Sequence, residues 1–494
     1  MLTLAMTFSV AVADERLTLE ECRRMAIENN KQLQLSDMEL EAAGLQRAAA
    51  QTRFFPRINA EGGYQRRNKQ YQLFDQDKFL PVIPYEGIDQ QTGQFDPGIL
   101  QDPDLAPSVI VINPVTGEPV LDDEGNIVFQ DYAWLPQEEG VVGQKDNYRM
   151  GVNLTQPIYA GGKIRSGYRM ASAGERIASA RNNMTKAGVI AQTDELFWQV
   201  NTMKEKVELA DSYREMIDRL VEDLEDLYQE GIVTQNQVLE AKVRRNEVKL
   251  KQKQAQNGLR LSKMALAQTI GLPVISEFSV EALESAGISV DLSENMLDHA
   301  YTWRPELNMM DEAINVHEEK VNMARADMLP TVGLAGGYTY MNPNPYNGFR
   351  DEFGGDWQIG ISINIPIYHF GEKRKHLARA RNEAGQQRLE KEEIKEQIAL
   401  QVYQSRYQLE ESISELELTQ LSLEQAAENL RMTEDLFSEG RAKTRDLLEA
   451  QALWQDANTA HIEARNQYRL AYTRLQKARG QLHRDQNINQ DINQ

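Results

Sequence analysis

The side chains in this sequence that are best able to react or to bind a metal are one cysteine and six histidines. The histidines are His299, His317, His369, His376, His461 and His483. None of them forms an HExxH motif or another known metal-ligand spacing. Cys22 has no second cysteine with which to form a disulfide or a thiolate metal site, so we interpret it as a small residue on a helix. The sequence therefore predicts no metal and no cofactor.

Catalytic motifs are also absent from the sequence. It contains no GxSxG, P-loop or dinucleotide fingerprint, and its carboxylates are scattered along predicted helix faces, where solvation is the simpler interpretation. The acidic run at 122–126 could bind Ca²⁺, but its spacing does not match an EF-hand loop, and a solvated turn is the alternative. We expect a protein that is not an enzyme.

Composition favours long helices over large compact cores. Only 41% of residues are hydrophobic and 7% aromatic, and the mean hydropathy is -0.57. Helices with narrow apolar seams fit these values. The net charge of -21 argues against a nucleic-acid binder, which needs a basic surface to meet phosphates.

The first thirteen residues form an uncharged, apolar run that ends in Ala11-Val12-Ala13. This small-x-small ending is typical of a signal-peptide cleavage site, so the run predicts a signal-peptide remnant at 1–13 and export. An N-terminal membrane anchor is the alternative, but the run is shorter than the ~20 residues that a spanning helix needs.

The chain contains an internal duplication, which indicates its architecture before any propensity argument. Helix and strand residues of the first copy, among them Ala26, Leu33 and Pro56, recur 274 positions later. Pro157-Ile158-Tyr159, Gly231 and later residues recur 209 positions later. The offset falls by 65, so the first copy carries an insertion of that size between its strands.

Each copy predicts the order helix, strand, loop, strand, long helix, turn, helix. The first repeat spans 14–270, the linker 271–295, the second repeat 296–480 and a disordered Asn/Gln-rich tail 481–494. The predicted strands lie at about 55–66, 147–158, 330–341 and 356–366, and the turns lie at 231 and 440.

Residues alternate between apolar and polar along these strands, which places one set on each face of a sheet. The apolar set predicts a lipid-facing surface of Tyr148, Met150, Val152, Leu154, Trp357, Ile359, Ile361 and Ile363. A soluble sandwich is the alternative. A membrane barrel needs at least about eight strands, and open edges in lipid leave backbone groups unpaired. Four strands are too few, so two or more chains must share one barrel.

Helices of unusual length follow the second strand of each copy. Residues 163–230 contain no proline, and the helix that they predict would extend about 100 Å. After Gly440, large and small seam residues alternate at steps of three and four from Leu447 to Leu475. This heptad pattern predicts a left-handed coiled coil. Its polar faces suit either a wet channel or a solvated exterior.

The insertion at 68–146, called the acidic insertion below, has fifteen acidic residues and three lysines. We expect a loop-rich cap with a small hairpin formed by Pro119–Leu121 and Ile127–Phe129. Bacterial barrels carry their long loops outside the cell, so the cap is expected to be extracellular. A short strand is also predicted in the linker, at Phe278–Val280.

The duplicated order of elements, the Ala-x3-Arg-Pro-Glu-Leu motif at Ala300–Leu307, the two Pro-Ile-Tyr segments and the two Glu-Gly turns resemble the TolC-type outer-membrane efflux channels. The resemblance covers nearly all of the chain except the acidic insertion. It implies a mainly α fold with a membrane β-barrel, in which three chains give four strands each to a twelve-stranded barrel. A helical coiled-coil tunnel would continue that barrel into the periplasm.

The resemblance also implies a gate at the helix turns, where this family carries two acidic rings. The matching positions are Asp446 and Glu449 in the second copy and Gln237 and Glu240 in the first. Threefold repetition of Asp446 and Glu449 would place six carboxylates at one constriction and favour cations. A solvated helix start, where the helix dipole favours acids, is the alternative.

Two gate positions depart from the family pattern. Phe437 and Ala442 stand where family members can carry a tyrosine and an arginine, so that closing network is not expected here. A periplasmic membrane-fusion adaptor would contact the helix turns, at Glu230, Gly231, Ile232, Val233, Thr234, Glu439, Gly440, Arg441 and Thr444.

The resemblance implies export of small molecules, drugs or proteins, delivered by an inner-membrane pump of the RND, ABC or MFS type, through a homotrimer embedded in outer-membrane lipid. A periplasmic coiled-coil adaptor or scaffold without a barrel is the alternative function. An enzyme acting through the acidic insertion is a third possibility, which has only the charge of the insertion to support it.

Overall fold

The computed structural model of the chain describes residues 16–281 and 296–482. The predicted signal peptide, most of the linker and nearly all of the predicted disordered tail lie outside these residues. The chain divides into two units. The strand unit comprises Phe54–Ala160 and Pro330–Ile365, and the helical unit comprises the rest of the described chain.

The helical unit is built from two sets of four helices, one set for each copy of the repeat. In chain order they are α1 (Leu19–Asn29), α2 (Lys31–Gln51), α3 (Lys163–Gln229), α4 (Gln235–Thr269), α5 (Met296–Trp303), α6 (Pro305–Ala326), α7 (Glu372–Ser438) and α8 (Thr444–Ala478).

The two longest helices of one copy have the same lengths as their counterparts in the other. Helices α3 and α7 have 67 residues each, and α4 and α8 have 35 each. Every boundary of α7 and α8 follows its counterpart by 209 positions, the offset that the sequence repeat has in this region. At 1.5 Å per residue, α3 and α7 are each about 100 Å long.

Buried apolar clusters join the helices of each set. Cys22 and Ala26 of α1 pack with Phe197 of α3 and Leu266 of α4. Burial raises the pKa of the Cys22 thiol to about 12. The position is therefore that of a small buried residue, as the sequence predicted, and its thiol stays protonated. An equivalent cluster joins α5 and α6 to α7 and α8, and it includes Ala300, Leu307, Ile398, Leu409 and Leu475.

The strand unit contains one four-stranded antiparallel sheet. Its strands are β1 (Arg57–Arg66), β2 (Asp146–Ala160), β3 (Thr331–Asn342) and β4 (Gly354–Asn364), arranged in the order β4-β3-β2-β1. The register is regular except for a bulge in β2 between Pro157 and Tyr159. Proline has no N–H for the ladder, which accounts for the irregularity at this point.

The acidic insertion has a small core and two short ribbons of its own. Tyr71–Gln72 pairs with Val141–Val142, and Lys78–Pro81 pairs with Tyr132–Leu135. The core includes the short helix Ala106–Val109, with Ile99 and Ile110 also buried.

The hairpin predicted within the insertion takes a different form. Leu121 bridges Ile127 around the acidic turn, but Pro119 bridges Ile112 and Phe129 bridges Ile110. The flanking segments therefore pair with 110–112 in isolated bridges rather than only with each other. Pro119 cannot donate a ladder hydrogen bond, which interrupts a continuous strand.

The helical unit also contains one pair of short strands. Ser279–Val280 forms a strand within the predicted Phe278–Val280 segment and pairs in parallel with Arg16–Leu17.

No helix in the described part of the chain is both long enough and apolar enough to cross a membrane.

We predict that replacement by alanine destabilises the protein more at Gly271, which follows α4, than at Gly440. Both have positive φ, +83° and +73°, but a Cβ at Gly271 would lie 2.3 Å from Asn29 Cβ, whereas one at Gly440 would meet no atom within 4 Å. Gly440→Ala should cost about 1–2 kcal/mol of unfolding free energy through backbone strain. Gly271→Ala should cost about 1–3 kcal/mol more through overpacking. Denaturant unfolding followed by circular dichroism checks this, and equal costs would contradict it.

Candidate functional site

The register of the sheet places the predicted lipid-facing residues on one face. Residues directly opposite each other in antiparallel strands point to the same face. Val152 of β2 is opposite Tyr338 of β3, which is opposite Trp357 of β4. Leu154 aligns in the same way with Gly336 and Ile359. The apolar residues of all four strands therefore form one continuous surface, called the apolar face below. It comprises Ile58, Ala60, Tyr64, Tyr148, Met150, Val152, Leu154, Leu334, Tyr338, Tyr340, Trp357, Ile359, Ile361 and Ile363.

The apolar face is open to its surroundings. The exposed fractions are 71% for Trp357, 67% for Ile359, 66% for Ile361 and 64% for Ile363. Leu154 is half-buried. A contiguous apolar patch of this extent marks a surface that is covered by another molecule or by lipid.

Polar and small residues occupy the opposite face. Asn59 and Glu61 of β1, Asn153 of β2, and Gln358 and Ser362 of β4 lie there. Glycines fill many of the remaining positions, including Gly151, Gly333, Gly337 and Gly360. The two faces thus separate most of the apolar side chains of the sheet from most of its polar ones.

Both edges of this sheet are open. Strands β1 and β4 each have one strand partner, and within residues 16–281 and 296–482 no strand covers their outer sides. An uncovered edge presents a row of backbone N–H and C=O groups that can pair with another strand.

Aromatic rings collect at one end of the apolar face. The ring centroids of Tyr64 and Tyr148 are 5.1 Å apart, and those of Tyr340 and Phe353 are 5.2 Å apart. Phe353 also lies 6.1 Å from Tyr148. Aromatic bands of this kind flank the apolar belt of strands in outer membranes, at the level of the lipid headgroups.

The two helix turns of the repeat have the same backbone geometry. Gly231 and Gly440 adopt positive φ after α3 and α7. The amide of Gly231 donates to the Tyr228 carbonyl at 3.0 Å, and the next amide donates to Leu227 at 2.9 Å. Gly440 and Arg441 repeat these bonds with Phe437 and Leu436. These are Schellman caps, which need a residue that tolerates the left-handed conformation.

Two of the predicted gate residues cap the helices that follow the turns. The Thr234 amide donates to Gln237 Oε1 at 2.8 Å, and the Lys443 amide donates to Asp446 Oδ2 at 3.1 Å. Asp446 thus has the helix-start role that the sequence left open as an alternative. Glu240 and Glu449 are exposed on the second turns of α4 and α8.

The turns of the two copies lie beside each other. Gln237 Nε2 donates to Thr444 Oγ1 at 3.3 Å. Beneath them, one cluster buries apolar residues from α3, α4, α7 and α8, among them Leu224, Val238, Leu430 and Leu447. Phe437 packs against this cluster.

The other predicted turn residues differ in exposure. Most are exposed, including Ile232 at 65%, whereas Thr444 is buried and Val233 is half-buried against the cluster. Glu439 pairs with Arg441 at 3.2 Å.

Sequence analysis missed the polar contacts between helices. The guanidinium of Arg23 on α1 donates two hydrogen bonds of 2.6 Å to the buried carboxylate of Asp194 on α3. Burial raises the pKa of Asp194, although Arg23 opposes this shift. The guanidinium of Arg469 lies 4.3 Å from the centroid of the Trp198 ring, a cation–π contact between α8 and α3. No local pattern pairs residues so far apart in the chain.

Two of the described histidines make contacts of different kinds. His299 stacks on Trp303 with a centroid distance of 4.4 Å, and His461 lies 3.5 Å from Thr419 Oγ1. Burial and nearby Arg465 lower the pKa of His461. Among the residues that the structure describes, no group of three or more His, Cys, Asp or Glu is arranged to hold a metal ion.

A two-faced antiparallel sheet, joined in one chain to helices of 67 residues, defines the class of outer-membrane proteins whose helical part lies in the periplasm. The chain belongs to the Outer membrane efflux protein family, whose sequence profile matches residues 136–272 and 296–481. This confirms the resemblance inferred from the duplicated motifs and localises the protein to the outer membrane.

Individual relatives agree with this assignment. The chain is 23% identical over 350 residues to the outer membrane protein TolC of Vibrio cholerae, covering 69% of this chain and 78% of that protein. It is 20% identical over 338 residues to the alkaline protease secretion protein AprF of Pseudomonas aeruginosa, covering 67% and 69%. Its fold is similar to the crystal structure of the CmeC outer membrane channel of Campylobacter jejuni, with a TM-score of 0.71, 16% identity, and coverage of 96% and 88%.

These findings favour a channel over the alternative of a periplasmic adaptor without a barrel. The family, both sequence relatives and the structural neighbour are named as outer-membrane, secretion or channel proteins.

Proposed function

We propose that three copies of this chain form one export channel, with a twelve-stranded barrel in the outer membrane and a helical tunnel in the periplasm. The observation that carries the proposal is the four-stranded sheet, which has one exposed apolar face, one polar face and two open edges. Lipid would cover the apolar face, and the polar face would line the pore.

The open edges require other chains in this proposal. Unpaired backbone groups in lipid cost several kcal/mol each, so a sheet in the bilayer must close on itself. Four strands fall short of the smallest barrels, which have about eight. Pairing of β1 of one copy with β4 of the next would remove every edge when three copies close the ring.

Exposed apolar stripes on the helices support a shared tunnel as well. On α4 the stripe comprises Leu239, Val243, Leu250 and Leu261, all at least half exposed. Their steps of four, seven and eleven residues return to one helix face. On α7 a stripe with steps of three, four and eleven comprises Leu389, Leu400, Tyr403, Tyr407, Leu418, Leu421 and Met432. Neighbouring copies would cover these stripes.

We place the gate and the adaptor contacts at the helix turns. Asp446 and Glu449 of the three chains would form acidic rings that favour cations. Gln237 and Glu240, from the first repeat of each chain, would face the same region. The turn residues 230–234 and 439–444, most of which are exposed, would receive a periplasmic membrane-fusion adaptor. An inner-membrane pump of the RND, ABC or MFS type would deliver small molecules, drugs or proteins, and the acidic insertion would lie outside the cell.

Lysine substitutions on the two faces of β4 are predicted to have unequal effects. Ile359→Lys should lower the yield of outer-membrane trimers, because lysine on the lipid side of a barrel costs about 2–4 kcal/mol near the bilayer centre. The adjacent Gln358→Lys places the same charge on the polar face and should leave trimer yield near that of the unmodified protein. Trimers in purified outer membranes can be quantified by gel electrophoresis without heating. Equal yields for the two variants would contradict the assigned lipid face.

The acidic rings are tested by the variant Asp446→Asn with Glu449→Gln. It keeps the oxygen that accepts the Lys443 amide bond but removes both charges. The preference for cations over anions should fall by about two- to fivefold, which corresponds to up to ~1 kcal/mol of electrostatic free energy. Reversal potentials of trimers in planar bilayers measure this preference.

The matched control is Glu39→Gln with Glu41→Gln, which removes two exposed charges from α2. It should leave cation preference unchanged. An equal change in both variants would contradict a gate at Asp446 and Glu449, and a purified protein that forms no conductive trimers would contradict the channel itself.

A further inference from the structure

A cavity of about 850 Å³ lies within the strand unit, at the end of the sheet from which the acidic insertion departs. The ends of β1, β2 and β3 line it, together with the first and last residues of the insertion and the loop that follows β3. Its volume falls in the range of pockets that bind small molecules and cofactors.

The charge of this cavity is opposite to that of its surroundings. Three cations, Arg67, Lys69 and Arg149, line it, and its lining, all within the described residues, includes no carboxylate. The insertion that covers it nevertheless has twelve more acidic than basic residues, and the chain has a net charge of -21. Positive groups gathered in an acidic region create a local preference for an anion.

Asp146 and Glu61 form polar contacts with residues of β1 and β2, two of the strands that line the cavity. Asp146 accepts hydrogen bonds from the Tyr64 hydroxyl at 2.7 Å and from Arg66 at 3.3 Å. Glu61 lies 3.9 Å from the Arg149 guanidinium, the longest of the ion pairs in the described chain. Arg149 is thus only weakly neutralised.

The remaining lining is suited to an apolar or aromatic group. Tyr71 and Phe349 lie around the cavity, and each is more than 40% exposed. The Arg67 guanidinium lies 5.3 Å from the centroid of the Tyr71 ring and donates to its hydroxyl at 2.6 Å. This contact fixes Arg67 beside an aromatic surface. A ligand could stack on the rings while its anionic group meets the guanidinium.

We propose that this cavity binds an amphiphilic anion, a molecule that joins an aromatic or acyl group to a phosphate. Arg67, Lys69 and Arg149 would bind the phosphate, and Tyr71 and Phe349 would contact the apolar part. Such a ligand has two possible sources, the phosphorylated headgroup of an outer-leaflet lipid or a soluble exported compound. The inference depends only on the cavity within one chain, so it does not require the trimeric channel.

The first measurement is calorimetric titration of the full chain in phosphatidylcholine nanodiscs with 2-naphthyl phosphate. Saturable binding is expected, and 2-naphthol and inorganic phosphate should each bind at least about tenfold more weakly because each lacks one part of the ligand. Lys69→Ala with Arg149→Ala should weaken binding of 2-naphthyl phosphate by at least about tenfold.

The matched control is Lys78→Ala with Lys145→Ala, which removes two positive charges from the same insertion outside the cavity lining. It should bind 2-naphthyl phosphate like the unmodified chain. Absence of saturable binding, equal weakening by the control, or equally tight binding of inorganic phosphate would each overturn the proposal.

A second arm distinguishes the two sources. The titration is repeated in nanodiscs that contain a phosphorylated bacterial glycolipid. Loss of 2-naphthyl phosphate binding would assign the cavity to the lipid headgroup, and unchanged binding would assign it to a soluble anion. The yield of trimers in outer membranes, measured separately by gel electrophoresis without heating, should be the same for the cavity variants as for the unmodified protein. Failure of the channel and failure of the anion site therefore give different results.

Discussion

The structure depends on a sheet that one chain leaves unfinished. Strands β1 and β4 present unpaired backbone on their outer sides, while Trp357, Ile359 and Ile361 expose an apolar surface. In water the apolar surface is unfavourable, and in lipid the open edges are unfavourable. Both costs are removed only if further strands extend the sheet until it closes, with the apolar face outward. The proposed trimer, with twelve strands, meets both constraints.

Because each repeat joins strands to long helices, contact between chains through their sheets would also involve the helices. Each copy leads from its second strand directly into a 67-residue helix and returns through a Schellman turn into a 35-residue helix. Chains that meet through their sheets would also bring their helices together, and the exposed apolar stripes on α4 and α7 offer surfaces for that contact. The acidic insertion interrupts only the first copy, so it adds a surface feature without changing the repeat.

Local patterns predicted the regular elements well, because proline, glycine and alternation act over a few residues. Pro56 precedes β1, Gly231 and Gly440 end the long helices, and the alternation in β4 matches its two faces. Contacts between distant segments were not predictable in this way. Nothing near Trp198 indicates that Arg469 lies over its ring, and nothing near Lys69 indicates that Arg149 lines the same cavity. The capping bond of Asp446 belongs to a local pattern, yet the sequence could not decide between a cap and a gate, and both roles are compatible with the geometry.

The most direct test of the central claim is disulfide cross-linking between the two sheet edges. Asn59→Cys in β1 is combined in turn with Gln358→Cys, Gly360→Cys or Ser362→Cys in β4, all on the polar face. Paired strands bring Cβ atoms within about 5 Å, close to the span of a disulfide. Native Cys22 should not interfere, because it is buried and its thiol has a pKa of about 12. We predict that at least one combination gives covalent trimers after oxidation in outer membranes. Formation of disulfides only within single chains, or of none in any register, would contradict the shared sheet.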